Sequence, residues 1–147
     1  MKKFIYLRLL IIFIGGSQAV YKVSSQDGFV KSYSEPAITW KILPLFFIFS
    51  IIGTLFVISL QKSNPRTKKQ WTKPSWHSNP FNFGNPVDFF HLAGIFFVIT
   101  GVVDICSNYI KFGQINMEGF IALITGTGVL VALKLVEIFY KEKFSKE

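Results

Sequence analysis

Residues 42–60, ILPLFFIFSIIGTLFVISL, contain no charged side chain. A helix of that length is about 28 Å long, close to the thickness of a bilayer's hydrocarbon core. In lipid, a single run can satisfy its own backbone polar groups only as a helix. Runs of this kind span 41–60, 87–109 and 118–140, and a shorter one opens the chain. Of the 147 residues, 50% are hydrophobic and 16% are charged, where a soluble domain carries about 25% charged. The fold class that follows is an all-α integral membrane protein. It has three transmembrane helices plus an N-terminal fourth, or a cleaved signal, in a small helical bundle.

Residues 1–21, beginning MKKFIYLRLLIIFIGGSQA, fit two readings. A basic start, an apolar stretch and the small residues Ser17 and Ala19 outline a signal peptide. Alternatively, Phe4 to Tyr21 is a retained helix whose Arg8 reaches back to the near headgroups. Either reading leaves 22–40 as a short extracytoplasmic segment. Asp27–Gly28 hints at a hairpin there, and Trp40 suits the membrane interface. Pro44 is expected in or near the first turn of the next helix, where a missing N–H costs little.

The loop 61–86 holds Lys62, Arg66, Lys68, Lys69 and Lys73 together with Trp71 and Trp76. Bases and tryptophans beside a membrane point to anionic headgroups or a docked partner. The tail 141–147 adds Lys141, Lys143 and Lys146, whereas the 110–117 turn has Lys111 alone. This asymmetry places the loop and the C-terminus in the cytoplasm, and the N-terminus is in the style of a bacterial inner-membrane protein. Asn85, Pro86 and Asp88 read as a helix start, as do Asn116 and Glu118.

Several intramembrane polar and small residues are candidates for helix contact or function. Ala93, Phe97, Thr100, Gly101, Asp104 and Asn108 fall on one side of the third run, a stripe suited to packing against another helix. Asp104 lies near the outer end, where a charge costs less than at the midplane. Gly119, Ala122, Gly126, Val129 and Leu133 share a face of the last run, with Ala122 and Gly126 in small-xxx-small spacing. Ser50 and Thr54 repeat that spacing in the second run. Lys134 and Glu137 can pair along one helix. Asp88 and His91 have the spacing of half a carboxylate di-metal site, without the further ligands that such a site needs.

No nucleotide-binding, serine-hydrolase or zinc motif occurs. No catalytic, cofactor-binding or metal-binding residue is expected, and no nucleic-acid partner. The expected partners are the lipid bilayer and other membrane-protein subunits or further copies of the chain. The expected function is that of a non-enzymatic accessory, assembly or interaction subunit of a larger membrane complex. Alternatives are a small oligomeric transporter or channel using Asp104, Lys134 and Glu137, and an immunity or regulatory membrane protein.

Overall fold

The computed structural model describes residues 3–28, 36–63, 74–82 and 86–139. They form four helices: α1 (Lys3–Ser24), α2 (Pro36–Ser63), α3 (Pro86–Phe112) and α4 (Met117–Phe139). Each is long and apolar enough to cross a membrane. No strand occurs among the described residues. The protein is a small all-α bundle of membrane-spanning type.

Three local expectations need correction. Asp27 and Gly28 form a bend rather than the first half of a hairpin, because α1 continues through Ser24. Pro44 lies inside α2, not in its first turn. The helix begins eight residues earlier at Pro36, whose fixed φ suits a helix start. Pro44 therefore leaves the Trp40 carbonyl without its usual N–H partner. The turn after α3 is also shorter than 110–117, since α3 runs to Phe112. It stops at Gly113, with φ of 66° and an N–H bonded to the Tyr109 carbonyl at 2.9 Å. A residue with a Cβ is strained in that left-handed conformation. After the turn, Asn116 Oδ1 accepts from the Glu118 N–H at 3.1 Å, capping α4 as its sequence suggests.

The helices pack in the order α1, α3, α4, α2, with α1 parallel to α3, α3 antiparallel to α4, and α4 parallel to α2. α3 and α4 form the central pair. Gly101 meets Gly119 across the seam, and Gly94, seven residues earlier on α3, meets Gly126, seven residues later on α4. A Cβ on Gly101 would sit 2.6 Å from the Gly119 carbonyl oxygen, and one on Gly126 would sit 2.6 Å from that of Gly94. Glycine lets the two backbones approach this closely.

α2 packs on another side of α4, where Gly128 leaves room for Ser50. Thr54 is buried on the same helix. Ile58 joins Val87, Leu133 and Val136 in an apolar cluster near the N-terminal end of α3. α1 lies against α3, with Gly15 over Phe96 and Thr100. Among the described residues, α1 and α2 do not touch each other.

Candidate functional site

Two polar clusters sit near opposite ends of α3. The first is built around Arg8. This side chain is fully buried on α1, so it does not reach back to the headgroups as its position in the sequence suggests. It turns inward because partners lie at the same depth on α3 and in the segment 74–82. Its guanidinium lies 3.5 Å from Asp88 Oδ1 and donates to the Ser78 carbonyl at 3.1 Å. It also lies 3.2 Å from His91 Nδ1. Arginine can only donate, so Nδ1 is the acceptor in that contact.

Asp88 Oδ1 accepts from the Ser75 N–H at 3.2 Å and from the Ser78 hydroxyl. Trp76 closes the cluster, with its ring 6.0 Å from the guanidinium carbon and edge-on to His91 at 5.6 Å. Asp88 and His91 thus hold an arginine, and the cluster pins the 74–82 segment to α1 and α3. Arg8 Nε is buried without a hydrogen-bond partner.

The second cluster surrounds Asp104, about two helical turns before the end of α3. Asp104 is 7% exposed, and its Oδ2 is buried with no hydrogen-bond partner. Neighbouring donors are used elsewhere. Asn108 Nδ2 donates to the Asp104 backbone carbonyl at 2.9 Å, and Thr100 Oγ1 donates to the Phe96 carbonyl at 2.7 Å. The carboxylate lines a cleft of about 290 Å³ with α3 as floor and α1 and α4 as walls. Lys22 of α1 and Glu118 of α4 form an ion pair at its rim. Nearby, Lys111 Nζ donates to the Val23 and Ser24 carbonyls at 3.0 and 2.7 Å and to that of Gln26. These bonds satisfy carbonyls left open at the α1 C-terminus.

The structure thus brings Thr100, Asp104 and Ala122 to one cleft. It places Gly101 and Gly126 in the α3–α4 seam and buries Asn108 on α3. Lys134 and Glu137 are separate. They pair at 2.9 Å with Lys134 exposed, and they lie more than 20 Å from Gly119 along α4, at about 1.5 Å per residue. Trp76 belongs to the Arg8 cluster, and Lys62 falls in the last turn of α2. Arg66, Lys68, Lys69, Trp71, Lys73, Asn85 and the tail 141–147 lie outside the described residues.

Comparison with protein-family models, curated proteins and solved structures finds no match for this chain. The functional reading therefore rests on the geometry of the bundle itself.

Proposed function

We propose that the protein is a non-enzymatic accessory or interaction subunit of a larger membrane complex. In this reading it resides in a bacterial inner membrane, with the 61–86 loop and the C-terminus in the cytoplasm. The observation in support is the open packing order. α1 rests on α3, α2 rests chiefly on α4, and neither covers the other. In each of these outer helices 17% of the apolar window is buried, against 39% in α4. Their free faces carry Phe13 and Tyr21 on α1 and Phe49 and Phe56 on α2. Such faces offer docking surface for further helices, and the hydrophilic segments are short for a catalytic domain.

Photocrosslinking groups at Phe13 and Phe49, in native membranes, test this reading. The expected result is a discrete protein adduct from at least one of these faces. Lipid adducts alone, with isolation as a monomer under mild detergent, would overturn it. A second reading, a small oligomeric transporter, draws on the unpaired Asp104 oxygen. Ion flux in liposomes that is indifferent to Asp104→Asn removes that second reading.

A further inference from the structure

Asp104 is a buried acid with an unused oxygen, and it lines the cleft between α1 and α4. Gly119 packs over that oxygen. A Cβ there would stand 2.6 Å from Ile105 and 3.0 Å from Asp104 Oδ2, so a larger residue would crowd the carboxylate. Ala19 and Ala122 line the walls with side chains too small to fill the space. A polar atom buried in this way carries a desolvation cost unless a partner meets it.

The charges lining the cleft do not balance. Lys22 is engaged by Glu118 at the rim, which leaves Asp104 without a cation of its own. The positive end of the α4 dipole, about half an elementary charge, offsets part of this. The remainder calls for a positive group. The donor count points the same way, because the hydroxyl of Thr100 and one N–H of the Asn108 amide donate to backbone carbonyls, and no donor among the described residues meets Asp104 Oδ2. A partner that brings N–H donors as well as charge would answer both needs.

Size narrows the choice. A cleft of about 290 Å³ is roughly ten times the share of liquid volume held by one water. A bare monovalent ion would leave most of it empty, whereas an ammonium group with a short carbon chain occupies a larger share of it and leaves room for water or the rest of a headgroup. The cleft opens between α1 and α4 near the ends of the helices, within reach of groups at headgroup depth as well as of soluble molecules.

We propose that the cleft between α1 and α4 binds a primary organic ammonium group, whose N–H donors engage the Asp104 carboxylate that lines it. The group can come from an amine-bearing phospholipid headgroup or from a soluble amine. Binding is independent of either reading of the protein's function.

The test uses the full-length protein in nanodiscs. In one arm the discs are pure phosphatidylcholine, whose choline carries charge but no N–H, and ethanolamine is titrated by calorimetry with tetramethylammonium as control. In the other arm the discs mix phosphatidylethanolamine with phosphatidylcholine, and native mass spectrometry reads the lipid retained on release. The proposal expects ethanolamine to bind at least tenfold more tightly than tetramethylammonium, or phosphatidylethanolamine to be retained over phosphatidylcholine. The first result identifies a soluble amine and the second a headgroup.

Asp104→Asn, which removes the charge at constant shape, is expected to abolish either signal. Ala19→Leu, which fills the cleft away from the α3–α4 seam, is expected to do the same, and Glu137→Gln to leave it unchanged. Absence of both signals in the native protein overturns the proposal. So does binding that survives Asp104→Asn and Ala19→Leu alike, with folding of either variant verified by circular dichroism.

Discussion

Asp88 and Asp104 are both buried acids on α3, and their surroundings differ sharply. Asp88 meets an arginine, a backbone N–H and a serine hydroxyl. Asp104 has a buried oxygen with no hydrogen-bond partner and an open cleft before it. One acid is consumed in holding the fold together, and the other is left available. Low solvent exposure alone would have classed them together. Partner count separates them.

The largest expected effect tests the Asp88 side. Arg8→Met leaves a buried carboxylate without its counter-ion and is expected to cost about 3–5 kcal/mol. Denaturant unfolding in mild detergent reads this directly. Adding Asp88→Leu should restore much of the loss, because the stranded charge goes with it. A cost below about 1 kcal/mol for the single variant would mean that the cluster does not hold the bundle.

A smaller effect calibrates the scaffold between the two acids. Gly101→Ala puts a methyl group against α4 backbone and should cost about 1–3 kcal/mol. Gly53→Ala on α2 meets nothing within 4 Å and should be neutral or stabilising by up to about 1 kcal/mol. Midpoints of thermal melts, compared pairwise, distinguish these outcomes. Equal shifts would show that the seam is looser than its glycines imply.

The two acids should then diverge under one chemical change. Asp104→Asn removes a charge that lacks a hydrogen-bonded partner and should be neutral or stabilising by about 1 kcal/mol or less. Asp88→Asn should destabilise, since it weakens the hold on Arg8. Opposite signs in side-by-side chemical denaturation sharpen the contrast, and matching signs break it. The smallest expected effect is that of Lys134→Ala. Its partly exposed pair with Glu137 should contribute about 0.5 kcal/mol or less, within the scatter of most unfolding curves.

Much of this was legible in the sequence. Long apolar runs revealed α2, α3 and α4, because lipid imposes helix on any such stretch, and α1 was one of two readings of a shorter run that Arg8 interrupts. The Asn116 cap was visible because a cap is a local bond between residues two apart. Gly119 and Gly126 were placed on one face by the helical period alone. The Arg8 cluster was not legible, although a signal existed. An arginine inside an apolar run needs a carboxylate at the same depth, and Asp88 opens a helix running in the same direction. What hid the pairing was a separation of 80 residues, across which hydropathy carries no information. The start of α2 was misplaced for a different reason. A proline inside an apolar run looks like a helix boundary, whereas lipid-type helices absorb it.

The attachment of α1 has a mechanical consequence. Arg8 pegs the helix near one end, and Lys111 grips its carbonyls at the other. The two fastenings are about 22 Å apart at 1.5 Å per residue. A rod fixed at both ends cannot slide along its neighbour. Nor can it roll freely, because Arg8, Gly15 and Lys22 are spaced seven apart on one face of the helix, and a turn that carried Lys22 off Glu118 would also draw Arg8 off Asp88. The width of the cleft is therefore tied to the latch at the far end of α1.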